Sequence, residues 1–241
     1  MTRAIILAAG HGHQATETDS RGDVLCLAEF EGMSLLGRHL DMLFRNGVAA
    51  ADLVVGYQAR QVIDHVATLE SRPDVAFHYN PRYEQNSVLN LWAARDTLVS
   101  GDAVLLIDGQ LLCHPGILKR FMESDAENGF VLDRGVNVPD GAMRLALHDG
   151  RIVEFSRELP AGLEHDEVAA PLGLYRFGSN IAASIDAECA RCESEGLADA
   201  PYEAVLRKLL HSCPLAFGFE DVSGLPWKRI ENMADVDNFQ G

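Results

Sequence analysis

The sequence predicts an α/β protein of three layers around a mostly parallel central sheet, with a smaller mixed lobe in its second half. Three observations carry this expectation. Ala4-Ile5-Ile6-Leu7-Ala8-Ala9 is a continuous apolar run closed by Gly10, the pattern of a strand buried on both faces. Through residue 110, short apolar runs alternate with stretches of helical periodicity, which indicates βαβ units. Beyond that point His148-Asp149-Gly150 separates two short apolar runs, which marks a hairpin with an Asp-Gly turn.

The elements follow in order. After the first strand and its glycine-bearing loop, Leu35, Leu36, Leu40, Leu43 and Phe44 recur at helical spacing up to Gly47. Residues 52–56 then read as a strand, 58–69 as a helix, 75–79 as a third strand and 88–98 as a helix carrying Trp92. A fourth strand over 103–107 ends at Asp108-Gly109-Gln110. In the second half, 143–147 and 152–155 form the hairpin, 172–177 a strand, 181–195 and 202–211 helices, and 215–219 a last strand. One domain over 1–241 is expected, with 1–135 binding a nucleotide and 136–241 receiving a second substrate.

Composition narrows the function. Hydrophobic residues make up 47% and charged residues 23%, enough apolar material for a core without staples. With 20 basic against 36 acidic residues the net charge is −16, and no Lys/Arg stripe is present, so nucleic acid is not an expected partner. An anionic substrate has to overcome that field through a local cluster of donors or a divalent cation such as Mg²⁺. No apolar run is long enough to span a bilayer, and Met1-Thr2-Arg3 leads straight into a strand without a signal pattern, so the expected location is cytoplasmic. Cys189 and Cys192 have C-x-x-C spacing but no partner pair at zinc-site spacing, and read as plain helix residues.

Gly10-His11-Gly12-His13-Gln14-Ala15 matches G-x-G-x-x-A after a strand, with Glu29 or Glu31 about 20 residues on. A dinucleotide fold needs a helix opening at that loop, whereas residues 16–23 (TETDSRGD) offer no apolar residue to pack on the sheet. A long phosphate loop, whose glycines let backbone N–H groups approach a triphosphate, is the better reading.

The residues also carry a resemblance. Ala4-Ile5-Ile6-Leu7-Ala8-Ala9-Gly10-His11-Gly12 resembles the signature loop of the nucleotidyltransferase superfamily, of the nucleotide-diphospho-sugar transferase, Rossmann-like type. Val55-Gly56-Tyr57-Gln58, Asn80-Pro81-Arg82-Tyr83-Glu84, Leu91-Trp92, Asp133-Arg134-Gly135, Gly173-Leu174-Tyr175-Arg176-Phe177 and residues 224–231 (GLPWKRIE) resemble its choline-phosphate and phosphonate cytidylyltransferase branch. The resemblance implies transfer of a nucleotidyl group, CTP favoured, to a small phosphorylated or phosphonate acceptor with release of pyrophosphate. It implies that Ala8, Ala9, Gly10, His11, Gly12, His13 and Tyr57 line the nucleotide. Asp108 and Glu231 would share a Mg²⁺, with Gln14, Asp108 and Gln110 at catalytic positions. Asn80, Tyr83, Trp92, Tyr175, Tyr202, Glu203 and Trp227 would form the acceptor side, where aromatic rings attract a trimethylammonium group. Core packing is the competing role for Trp92 and Tyr175.

The departures weigh as much as the matches. Gln14 stands where the family has its loop arginine, Val24-Leu25 where it has a Pro-Lys pair, and Gln110 where it has a metal aspartate. Charge-assisted hydrogen bonds contribute about 1.5–3 kcal/mol each, so the loss of two phosphate-facing cations predicts weakened turnover. His11, His13 and Arg21 supply part of that charge if the histidines are protonated. Two functions therefore stand open: a cytidylyltransferase with a rearranged site, and a nucleotide-binding or regulatory protein of the same fold without turnover.

Overall fold

The computed structural model describes residues 1–10, 24–84 and 88–240. Thr2–Ala8 (β1) is followed, after a 3-10 turn at Leu25–Leu27, by the two-residue strands Glu29–Phe30 (β2) and Met33–Ser34 (β3) and the helix Leu35–Arg45 (α1). Ala50–Val55 (β4), Ala59–Ala67 (α2), Asp74–Tyr79 (β5), Val88–Ala93 (α3), Arg95–Leu98 (α4) and Ala103–Asp108 (β6) complete the first half. Leu111–Cys113 (β7), Gly116–Glu123 (α5), Gly129–Asp133 (β8), Arg144–His148 (β9), Arg151–Ser156 (β10) and Glu167–Phe177 (β11) come next. Ser179–Ser194 (α6), Tyr202–Ser212 (α7), Gly218–Asp221 (β12), Trp227–Arg229 (β13) and Met233–Asp237 (α8) close the chain.

Nine of these strands form one sheet, in the order β10-β9-β11-β6-β1-β4-β5, with β8 on β11 and β12 on β8. The pairs β1–β4, β1–β6 and β4–β5 are parallel, whereas β11 runs antiparallel to β6, β8 and β9. Side chains alternate across each strand, and the sequence uses both faces. Ala4, Ile6 and Ala8 of β1 join Leu36, Leu40 and Leu43 of α1, Val62 and Val66 of α2 and Phe121 of α5 on one side. Ile5 and Ala9 join Val88 and Leu91 of α3, Ile181 and Ile185 of α6 and Leu206 of α7 on the other. Two apolar faces on one sheet explain why β1 reads as an unbroken apolar run. They also make the three layers.

The details refine several expectations. The helix expected over 88–98 divides at Ala94. Pro214–Ala216 is a 3-10 turn, so the last strand of the main sheet begins at Gly218 instead of Leu215. The strand expected over 172–177 starts at Glu167, because its first residues pair with β9 and its last with β6. Strand β8, helix α5 and the short β13 and α8 extend the fold beyond the elements that periodicity marked. Leu25, where the family has its lysine, is buried in the 3-10 turn. Cys189 and Cys192 are buried helix residues packed in the core. Among the described residues, no helix is long and apolar enough to cross a membrane.

Candidate functional site

The chain leaves β1 for β4 and β5 on one side and then crosses to β6 on the other. The carboxyl ends of β1 and β6 therefore lie side by side on adjacent parallel strands, a topological switch point where α/β sheets open a binding crevice. Ala8, Ala9 and Gly10 stand at the end of the first strand and Asp108, Gly109 and Gln110 at the end of the second.

Backbone contacts hold the two strand ends together. Gly109 N donates to Leu7 O at 3.1 Å, and Tyr57 N donates to Ala9 O at 2.9 Å. A Cβ on Gly109 would lie 2.5 Å from Leu7 O and 3.3 Å from Ala8 Cα. Neither neighbour is the end of a flexible side chain, so the residue after Asp108 has to be glycine for this approach. Gly109→Ala should cost about 1–3 kcal/mol by overpacking, a fall of about 2–12 °C in melting temperature for a chain of this size. An unchanged melting curve would show that the two loops do not touch in this way.

Asp108 closes β6 with a largely buried side chain, 10% exposed. Its Oδ1 accepts from Gln110 N at 3.0 Å. Its Oδ2 lies 3.2 Å from Nη2 of Arg229, a side chain 44% exposed. Gly173, at φ +84°, passes so close that a Cβ there would meet Asp108 Cβ at 2.9 Å. Arg229 is placed by its strand: Trp227, Lys228 and Arg229 pair with Cys113, Leu112 and Leu111, and Ile230 N donates to Gln110 O at 2.9 Å. Ile230 is fully buried in a small core with Leu35, Leu112 and Val236, so the segment cannot slide.

Behind this pair stand Tyr202 and Glu203, at the start of α7, and Tyr175 of β11. The hydroxyls of Tyr175 and Tyr202 are 3.5 Å apart. Burial pushes both phenols up, with the Glu203 charge acting the same way. Burial likewise raises the Glu203 carboxyl, against the opposing charge of Arg229. Asp108, ahead of Tyr202 and Glu203, raises Arg229 further above its ordinary range, so its guanidinium is a permanent cation.

Over 98% of its length the chain superposes on the inositol-1-phosphate CTP transferase from T. maritima, covering 91% of that structure at a TM-score of 0.74 and 18% identity. The chain has the sugar-phosphate nucleotidyltransferase fold. The CTP:phosphocholine cytidylyltransferase LicC from Streptococcus pneumoniae is similar over 98% of this chain and 96% of its own, with a TM-score of 0.73 and 16% identity. In sequence, the chain is 28% identical over 97% of its length to a bifunctional IPC transferase and DIPP synthase from Rubrobacter xylanophilus, of which it spans 50%. No protein-family model matches it.

On this transferase fold the expected site residues separate into groups. His11, Gly12, His13 and Gln14 lie outside the described residues. Ala8, Ala9, Gly10, Asp108 and Gln110 meet at the switch point, with Tyr57 beside Ala9 and its ring centroid 6.2 Å from that of Tyr83. Tyr175, Tyr202 and Glu203 converge on Asp108 and Arg229. The other acceptor-side residues have structural partners. Asn80 Nδ2 donates to Asn90 Oδ1 at 2.7 Å while its Oδ1 accepts from Arg82 N. Trp92 Nε1 donates to Asp186 of α6 at 3.1 Å, and Trp227 Nε1 donates to Asp133 of β8 at 2.8 Å. Arg229 is the residue that motif reading passed over. It sits inside the GLPWKRIE stretch, two positions from Glu231, which the resemblance marked instead.

The donors at this end differ from what the Mg²⁺ implied by the resemblance requires. Mg²⁺ demands near-octahedral oxygen ligands at about 2.0–2.1 Å. Gln110 offers a neutral amide, one Asp108 oxygen accepts a backbone N–H, and the other faces a guanidinium that repels a second cation. Glu231 is exposed, and its backbone N donates to Asp235 Oδ2 at 2.9 Å. Among the described residues no group of three or more His, Cys, Asp or Glu side chains is placed to hold a metal. This arrangement does not fit a divalent ion shared by Asp108 and Glu231.

Proposed function

We propose that the protein binds a pyrimidine nucleoside triphosphate, CTP by preference, at the β1–β6 switch point. There it transfers the nucleotidyl group to a small phosphorylated or phosphonate acceptor. The observation that carries this reading is the meeting of the Ala8-Ala9-Gly10 strand end, the Asp108-Gly109 turn and the Arg229 guanidinium at the carboxyl ends of β1 and β6. The names of the similar proteins, which act on inositol 1-phosphate and phosphocholine, support the choice of acceptor class. An acceptor oxygen attacks the α-phosphorus as the bond to the pyrophosphate oxygen breaks, so pyrophosphate leaves with the electron pair. Little covalent chemistry falls to the protein. Positioning and neutralisation of the developing charge supply the rate, and Arg229 is the resident cation placed for it.

A nucleotide-binding protein without turnover is the second reading, and Leu25 favours it. The residue standing where the family has its lysine is 3% exposed, so that part of the site supplies no charge, and Leu25→Lys would bury one. Calorimetry with CTP, UTP, ATP and GTP at millimolar concentration tests binding. Pyrophosphate release with choline phosphate, ethanolamine phosphate, inositol 1-phosphate and an aminoalkylphosphonate tests transfer. The expected result is a heat with CTP and release with one acceptor. Binding of CTP without release from any acceptor would select the second reading, and no heat with any nucleotide would remove both.

A further inference from the structure

We infer that Arg229 takes the place of a divalent ion in this site, so that the polyphosphate of a bound ligand is held by a guanidinium and not by a metal. The inference deepens the reading above, and rests on it for the identity of the ligand as a triphosphate. It starts from charge. A chain of net charge −16 repels a polyphosphate at long range, so the crevice needs a fixed positive group. Among the described residues around the switch point, the cation that reaches Asp108 is Arg229, whose Nη2 lies 3.2 Å from Oδ2.

The geometry suits an anion bridge. Asp108 is the buried member of the pair and Arg229 the half-open one, with side chains 10% and 44% exposed. The carboxylate thus anchors one side of a guanidinium that carries five N–H donors in one plane and whose side chain stays 44% exposed. Such a fork matches phosphate oxygens in a way a lysine does not. The anchor is rigid. Asp108 is tied to Gln110 N at 3.0 Å and packed under Gly173, and Arg229 precedes the fully buried Ile230. Lys228, the neighbouring cation, is spent elsewhere on Asp235, 2.8 Å away.

The donor chemistry points the same way. A metal site would use the Asp108 carboxylate and a second carboxylate at position 110. Here the first is ion-paired and the second is the neutral Gln110. The Glu203 carboxyl behind the pair is buried, 6% exposed, and burial raises its affinity for a proton. A neutral side chain at position 110 and a guanidinium on Asp108 form one consistent exchange of metal for arginine.

The test uses calorimetry on the full chain with two probes, CTP and inorganic tripolyphosphate, each with Mg²⁺ and with EDTA. The parent should bind both with affinities that differ by less than about twofold between the two conditions. Arg229→Gln should lower both affinities by at least about tenfold, and Arg229→Lys, which keeps the charge without the fork, should fall between. Circular dichroism and melting curves on each variant separate lost binding from lost folding. The double variant Arg229→Ala with Gln110→Asp should bind weakly in EDTA and recover at least tenfold with Mg²⁺, because a second carboxylate then faces a vacated space. Loss of parent binding in EDTA, or a folded Arg229→Gln that binds as the parent does, would overturn the exchange while leaving the nucleotide reading intact. Tripolyphosphate bound through Arg229 without any gain from the cytidine would keep the guanidinium site and sink the nucleotide reading. Absence of binding by either probe would end both.

Discussion

Arg207→Ala should destabilise the protein by about 3 kcal/mol, the lower end of the range for breaking a buried ion pair. Glu154 of β10 is 2% exposed, and its carboxylate faces Arg207 of α7 through Nε at 2.7 Å and Nη2 at 2.8 Å. Phe155 N donates to it at 2.7 Å, and His211 Nε2 lies 3.5 Å away. Without Arg207 the buried carboxylate keeps one backbone donor and the His211 ring at 3.5 Å. The lower end applies because the Arg207 side chain is 42% exposed, so water enters where it stood.

The same pair sets a pH dependence. Burial alone would raise the Glu154 carboxyl, but the Arg207 hydrogen bonds, the Phe155 N–H and the charges of Arg207 and His211 together hold it below its ordinary value of 4.5. A depressed folded value stabilises the protein above the unfolded value, and that contribution is lost as pH falls through the folded one. In Arg207→Ala burial dominates, the carboxyl takes up a proton more readily, and the gap between variant and parent narrows in acid. Urea denaturation at pH 7 and near pH 4 checks both statements. A difference under about 1 kcal/mol at pH 7, or one that widens in acid, would show that the pair does not join α7 to the hairpin as described. The joint matters for the proposed function because α7 carries Tyr202 and Glu203.

How far the sequence revealed this site depends on the range of the interactions that build it. β1 was legible because burial on two faces leaves one continuous apolar run, and the Asp108-Gly109 turn because it ends such a run. The hairpin at Asp149-Gly150 was legible from its turn. Strand β8 was not. Its apolar stretch Phe130-Val131-Leu132 is too short to separate from a buried helical segment by periodicity, and its neighbours in the sheet are distant in sequence. Arg229 was hidden for the same reason. Nothing local brings residue 229 to residue 108; the pairing of β13 with β7 does, and that pairing needs the fold. Motif reading therefore favoured Glu231, the carboxylate expected at a metal, over the arginine beside it. The aromatic residues show the converse limit. Trp92 and Trp227 have the residue type of a cation-binding cage, and composition carries no record that their indole N–H groups donate to Asp186 and Asp133, each 94 residues away.

Phe130→Ala should cost about 3–5 kcal/mol, the range for deleting a buried ring, and lower the melting temperature by about 6–20 °C. The ring is fully buried, with centroids of Phe155 at 5.2 Å, Tyr175 at 5.3 Å and Phe217 at 5.9 Å. The first two contacts are edge-to-face, an arrangement that contributes about 0.5–1.5 kcal/mol per pair beyond area burial. Phe130→Leu keeps most of the volume but loses those contacts, so it should cost about 1–2 kcal/mol. Urea denaturation of the two variants separates volume from ring geometry. An alanine variant less than about 1.5 kcal/mol below the parent would mean that the neighbours collapse into the space and that this cluster is not the rigid wall of the site. The expected outcome follows from what stands on either side of the ring. Tyr175 packs edge-on against Tyr202 at 6.1 Å, and Tyr202 adjoins Glu203 and the Arg229–Asp108 pair. Phe130 thus supports the proposed acceptor side from one ring behind it, while the proposed triphosphate end rests on β1 and β6. Acceptor affinity should fall more than CTP affinity in the folded alanine variant, because the removed support lies under one half of the crevice only.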